Sequence, residues 1–140
     1  MIKAHSLYVY GTLQVPAIMQ QLVGRALRAE PAILEGYARY RVEARVYPAI
    51  VEHVGGRVEG LVYDGLSSPE LEHLDLYEGE LYERRVVDVS KEGVFIQANA
   101  YVLRASQHHL LSPDSWELET FTRDHLEDYL SQISVTSRAP

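Results

Sequence analysis

Apolar and polar positions alternate along most of this chain, which predicts extended segments interrupted by stretches of helical spacing. Leu7-Tyr8-Val9-Tyr10 reads as a first strand, aromatic and β-branched, ended by Gly11-Thr12. From about Val15 to Leu22, apolar residues at Ile18, Met19 and Leu22 form a short helical stripe. A strand, a glycine turn and a helix in that order aim backbone N–H groups at whatever lies beyond the strand end. A second extended region starts at Ala32-Ile33-Leu34-Glu35-Gly36-Tyr37 and runs from Ala38 to Val46. Tyr47-Pro48-Ala49-Ile50-Val51 follows, its proline marking a strand start or an edge. Gly55-Gly56 predicts a hairpin turn, and Arg57 to Asp64 alternates on its far side.

Ser67-Ser68-Pro69-Glu70 is a helix start, with a serine cap, an early proline and an acidic first turn. That helix offers Leu71, Leu74 and Tyr77 to the core and stops at Glu78-Gly79. Tyr82 to Val89 and Val94 to Leu103 predict two strands around Lys91-Glu92-Gly93. In the second, Val94, Ile96, Ala98, Ala100 and Val102 share one face. The other face, with Phe95, Gln97, Asn99, Tyr101 and Leu103, is mixed and suits a cavity wall. From about Pro113 to Ile133, Leu118, Phe121, Leu126, Tyr129, Leu130 and Ile133 predict one amphipathic helix, with Ser134 to Pro140 as a loose tail. About six strands and about three helices in one layer set predict an α+β fold.

The length of 140 residues fits a single domain, and 46% hydrophobic content argues against disorder. A net charge of −7 speaks against a nucleic-acid surface, because phosphate binding needs a cationic footprint. The chain contains no cysteine, which removes disulfides, thiolate nucleophiles and cysteine-held metals. No signal-peptide core follows Met1, and no apolar run reaches membrane-spanning length, so a soluble, cytoplasmic protein is expected. His108-His109 is the only histidine pair. Adjacent side chains point apart and no third ligand stands at metal spacing, so no metal site is expected. Nothing in the pattern specifies an oligomeric state.

Chemistry concentrates at Leu74-Asp75-Leu76-Tyr77-Glu78-Gly79, followed by Tyr82-Glu83-Arg84. Glu78 falls in the last helical turn, where the negative end of the helix dipole disfavours a further negative charge. Desolvation would also push it towards its neutral form, which suits a general acid or base near neutral pH. Asp75 is expected to face solvent or cap a loop. Arg84 pairs with a carboxylate in the site or with a structural acid nearby, and Arg84 and Arg85 otherwise read as surface charges.

Tyr10-Gly11-Thr12-Leu13, Tyr47-Pro48-Ala49, Gly60-Leu61-Val62-Tyr63 and the Leu74-to-Gly79 stretch with Tyr82-Glu83-Arg84 occur in an order and at separations that resemble the γ-glutamylcyclotransferase-like (AIG2-like) superfamily. The resemblance spans Tyr8 to Tyr101 and extends to Trp116–Phe121. It implies a small, partly open barrel of mixed strands flanked by helices, with one cavity. It also implies that Glu78 is the catalytic acid/base and that the turn of Tyr10, Gly11, Thr12 and Leu13 holds a γ-glutamyl group. The implied products are 5-oxoproline and a free amine, formed without cofactor or metal. Gln14 departs from the pattern, in which a basic residue often follows the leucine.

In a γ-glutamyl amide the α-amine can reach its own side-chain carbonyl, so proximity is already supplied within one molecule. One glutamate can take the proton from the attacking amine and give it to the leaving amine. The Tyr10-to-Leu13 turn can serve as oxyanion donor or as cradle for the α-carboxylate. Tyr47, Tyr82 and Tyr101 are expected around the cavity. The rival reading is a non-catalytic small-molecule binding or interaction module of the same fold. A further reading is an enzyme acting on another acyl amide, such as a γ-glutamyl antibiotic intermediate or a crosslinked lysine.

Overall fold

A computed structural model describes residues 5–138. Five strands and four α-helices occur among them: β1 (His5–Val9), α1 (Pro16–Val23), β2 (Ala29–Arg41), β3 (Pro48–Leu66), α2 (Ser68–Glu78), β4 (Tyr82–Lys91), β5 (Val94–Leu103), α3 (Leu118–Asp124) and α4 (Leu126–Arg138). The strands follow the order β1-β3-β2-β4-β5 and close into a ring. An odd number of strands cannot close with every neighbour antiparallel, and the single parallel contact falls between β1 and β5. That seam holds one registered pair, Leu7 with Asn99, and the β2–β4 seam also holds one, Ile33 with Ser90. Long ladders join β2 to β3 and β4 to β5. The ring is therefore two ribbons plus β1, stitched by narrow seams, within the α+β class expected.

The expected count of about six strands is corrected to five, because Gly55-Gly56 is no hairpin turn. β3 runs on through it, and the β2–β3 register shifts opposite it, between Glu35 and Tyr37. Gly55 has φ 81°, and a Cβ on Gly56 would come within 2.2 Å of the Tyr37 carbonyl oxygen. The glycines form a bulge that bends the ribbon. The chain reverses instead at residues 42–47, inside the segment expected to remain extended, with Ala44 at φ 59°. Pro48 then opens β3, where a missing N–H is tolerated.

Burial separates two cores. Tyr8, Leu34, Ile50, Val62, Val89 and Ala100 belong to the one inside the ring. Leu7, Val9, Ile18, Met19, Leu71, Leu74 and Phe121 belong to the other, between ring and helices. Strand alternation sends neighbours such as Leu7 and Tyr8 to opposite cores. On β5, Ala98, Ala100 and Val102 enter the ring with Ile96 packed against them, while Val94 at the strand start is 62% exposed. Of its mixed face, Tyr101 and Leu103 are buried while Phe95 is 65% exposed, so that face is a cavity wall only near its end.

α2 forms where expected, closed by a reciprocal capping box. The Glu70 N–H donates to Ser67 Oγ at 3.2 Å, and the Ser67 N–H to Glu70 Oε1 at 2.9 Å. The expected single terminal helix is two, broken at His125 with φ −131°. The break lets the Phe121 ring meet Trp116 at 6.0 Å and Tyr129 edge-on at 5.4 Å. The backbone of α4 reaches Arg138, five residues beyond the helix end expected at Ile133, while Ala139 and Pro140 lie outside the described residues. No helix among the described residues is long and apolar enough to cross a membrane.

Gly56→Ala should lower stability by about 1–3 kcal/mol, because the added methyl meets rigid backbone rather than a side chain that can move. Urea unfolding should show a lower midpoint at an unchanged slope.

Candidate active site

The end of β1 and the end of α2 meet at a small cavity of about 120 Å³. Glu78, Tyr10, Gly11, Thr12, Leu13, Tyr47, Tyr82 and Tyr101 all line it, so every site residue expected from the sequence reaches one hollow. Tyr8, Val9, Pro48, Tyr77 and Tyr129 line it as well. Tyr77 adjoins Glu78 in sequence and so carried a local signal. Tyr129 had none, because α4 reaches the cavity only through the tertiary fold.

After β1 the chain makes a 3-10 turn over Thr12–Gln14 and enters α1 at Pro16. Each carbonyl in this turn is held. Arg39 Nη1 donates to Tyr10 O at 2.7 Å, and the Tyr63 hydroxyl to Leu13 O at 2.9 Å. The Gln14 N–H donates to Gly11 O at 3.0 Å, and the Val15 N–H to Thr12 O at 3.1 Å. The N–H groups of Gly11, Thr12 and Leu13 have no backbone acceptor among the described residues. Such orphan donors at the start of a helical turn suit an anion. Gly11 is required here by space: a Cβ would lie 2.8 Å from Pro48 Cδ. Gln14, where a cation was expected from the resemblance, turns its amide back to Gly11 O at 3.3 Å.

The tyrosine hydroxyls are also committed. Tyr8 donates to Val58 O at 2.7 Å, Tyr10 to Tyr101 O at 2.6 Å, and Tyr82 to Pro48 O at 2.7 Å. Tyr101 donates to Asp75 Oδ1 at 2.8 Å. The Tyr77 and Tyr129 hydroxyls contact each other, and the Thr12 side chain joins them. With their protons pinned to protein acceptors, Tyr82 and Tyr101 have only lone pairs left to offer a ligand.

Glu78 is half-buried at the cavity wall. Burial pushes its carboxyl up to about 8, and the neighbouring Asp75 charge adds to the effect. Burial, the desolvation anticipated from the sequence, is thus the main cause. Among the described residues, no arginine, lysine or histidine lines the cavity to offset it.

Asp75, expected to face solvent or cap a loop, instead takes a two-pronged bond from Arg84, with Nε to Oδ1 at 2.8 Å and Nη2 to Oδ2 at 3.1 Å. Arg84 therefore serves a structural acid, one of the two roles considered for it. Arg85 pairs with Glu83 and lies 3.8 Å from Glu52. His108 and His109 sit in a 3-10 turn, Ala105–Leu110, that does not line the cavity. Arg39 is a residue the sequence reading missed. Besides holding Tyr10 it lies 5.5 Å over the Trp116 ring, whose Nε1 donates to Val46 O at 2.7 Å.

A barrel of this topology, with an acid and a main-chain nest meeting in one hollow, defines a cyclotransferase-like class of fold. Residues 7–118 match the family described as gamma-glutamyl cyclotransferase, AIG2-like, and the chain belongs to that family. It is 32% identical over 136 residues to AIG2-like protein B of Arabidopsis thaliana, covering 93% of this chain and 76% of that one. A solution structure of another Arabidopsis thaliana protein superposes with TM-score 0.71 at 29% identity, over 96% of this chain and 82% of the other. A structure described as a gamma-glutamyl cyclotransferase superposes with TM-score 0.64 at 14% identity, over 94% and 86%, a likeness of fold.

The raised proton affinity of Glu78 has a consequence for stability. The folded state keeps this proton between about pH 4.5 and 8, where the unfolded chain has released it. Wild-type stability should therefore fall across that window. Glu78→Gln should remove the fall, so the variant gains on wild type from pH 4.5 upwards and levels off above pH 8. The gain at the plateau should be a few kcal/mol, bounded by about 1.4 kcal/mol per pH unit. Urea unfolding of both proteins from pH 4 to 9 measures it.

Proposed function

We propose that this protein is a cyclotransferase that cleaves a γ-glutamyl amine or peptide, releasing 5-oxoproline and a free amine. The observation that carries the reading is a half-buried carboxyl of raised proton affinity, Glu78, in the same cavity as Gly11, Thr12 and Leu13, whose N–H groups have no backbone acceptor among the described residues.

The cavity volume favours a small acyl group. At about 120 Å³ it is well below the roughly 300–1,000 Å³ of pockets that enclose drug-sized ligands. A γ-glutamyl head enters and the leaving amine stays at the mouth. The cavity walls offer acceptors and a carboxyl without a cation, which suits the substrate's α-amine. The turn's N–H groups suit either its α-carboxylate or the oxyanion of the reacting carbonyl.

The steps follow from proton affinity. The α-ammonium releases one proton to solvent, and the neutral nitrogen attacks the γ-carbonyl carbon. As the new C–N bond forms, Glu78 as carboxylate takes the second proton. With its proton affinity near 8, Glu78 can stand as a carboxylate in part of the population near neutral pH and still hold the proton long enough to return it. The tetrahedral oxyanion then collapses, the amide C–N bond breaks, and Glu78 returns its proton to the departing amine. No protein nucleophile is needed, because the substrate supplies its own.

Incubation with a panel of γ-glutamyl amines and dipeptides should release 5-oxoproline, with a rate that rises with pH through about 8. Glu78→Gln should lower kcat by about 10²–10⁴-fold, as expected for loss of a general acid/base, while ligand binding persists. Undiminished turnover in that variant would remove Glu78 from the mechanism. Binding of panel members without turnover would support the binding-module reading instead.

A further inference from the structure

Glu78 shares a helix face with Asp75, three residues earlier, and so works beside a second carboxylate. Two neighbouring carboxylates resist double ionisation. A site that needs Glu78 to ionise during turnover must manage that neighbour, and Arg84 stands where this is done. Its Nε and Nη2 hold both Asp75 oxygens, and its Nη1 donates to Asn99 Oδ1 at 2.9 Å. Asn99 Nδ2 donates in turn to Ser6 O at 3.1 Å, beside the single Leu7–Asn99 pair that closes the ring. The guanidinium is thus fixed to the β1–β5 seam as well as to α2. On its other side Asp75 accepts the Tyr101 hydroxyl at 2.8 Å, and Tyr101 lines the cavity.

We propose that Asp75 and Arg84 act together as positioning residues for Glu78, the carboxylate supplying a nearby negative charge and the guanidinium cancelling most of it. The inference rests on the reading of Glu78 as acid/base. The groups facing Glu78 narrow the choice of partner. On its own helix these are Asp75 and Tyr77, and from the other elements Tyr10, Tyr47, Tyr82, Tyr101 and Tyr129. Burial raises the proton affinity of Tyr10, Tyr77, Tyr82, Tyr101 and Tyr129 and keeps them neutral at working pH. Asp75 is thus the charged group in this set able to act on Glu78, and Arg84 is its clamp. Burial alone holds the Glu78 proton tightly, while Arg84 keeps the Asp75 charge from holding it more tightly still.

The test reads the Glu78 carboxyl directly, by carbon NMR titration of the folded protein, alongside the pH–rate profile. Wild type should titrate near 8. Asp75→Asn should move the midpoint down by about one pH unit, and Arg84→Gln up by about as much, the low end for a close charge because the pair is partly solvated. Arg84→Lys, which keeps the charge and loses the fork, should stay near wild type. Arg84→Gln in the Asp75→Asn background, which leaves neither charge, should bring the midpoint back towards wild type. A merely structural pair would lower melting temperatures without moving the midpoint in opposite directions. An unmoved midpoint, or movement in the same direction in both variants, would overturn the proposal. If Arg84→Gln fails to fold, Asp75→Asn and Arg84→Lys decide it. Wild-type protein without turnover, but with the opposed midpoint shifts intact, would overturn the functional reading and leave this inference standing.

Discussion

A carboxyl held among tyrosines, with no cation lining the same hollow, is the constraint on which the site depends. In water Glu78 would be an ordinary acid. Here the closing of α2 over the end of β1 removes solvent from it, and its proton affinity rises to about 8. A fold that placed Arg84 against Glu78 would have produced an ion pair and lowered its proton affinity instead of raising it. Instead Arg84 is taken up by Asp75 and Asn99, one helical turn back. The arrangement is less favourable for stability above pH 4.5, and strain of this kind belongs where chemistry requires it.

The opposite wall answers the acid with donors. The four carbonyls from Tyr10 to Leu13 are turned towards Arg39, Tyr63 and the following N–H groups, and the N–H groups of Gly11, Thr12 and Leu13 have no backbone acceptor among the described residues. Holding the carbonyls from outside fixes the conformation of this short loop. Trp116 contributes at one remove, by stacking under Arg39 and anchoring Val46 next to Tyr47. The C-terminal segment thus supports the site from two directions, through Trp116 and through Tyr129.

Where the sequence was legible, the signals were local. The boundaries of α2 follow from Ser67, Pro69, Glu70 and Gly79, and the turn between β4 and β5 from Glu92-Gly93, because caps and turns satisfy backbone groups within a few residues. Glu78 and the Tyr10-to-Leu13 turn could be nominated from chain pattern and family likeness. Gly55-Gly56 was misread for an equally local reason. Paired glycines serve a reversal and a bulge alike, and only the partner strand, pressing the Tyr37 carbonyl against Gly56, separates the two. The single long terminal helix was misread because an apolar stripe carries no mark of the break at His125.

By itself, then, the sequence determined the α+β class, the capped helix that ends at the acid, and the glycine turn that faces it, since these depend on interactions between near neighbours. The tertiary structure decided the rest: five strands closing through two one-pair seams, Tyr129 brought to the cavity across 52 residues, and Asp75 paired with Arg84. Those outcomes depend on which surfaces exclude water together. Burial and long-range hydrogen bonding are properties of the packed chain, with no trace in any single stretch of it.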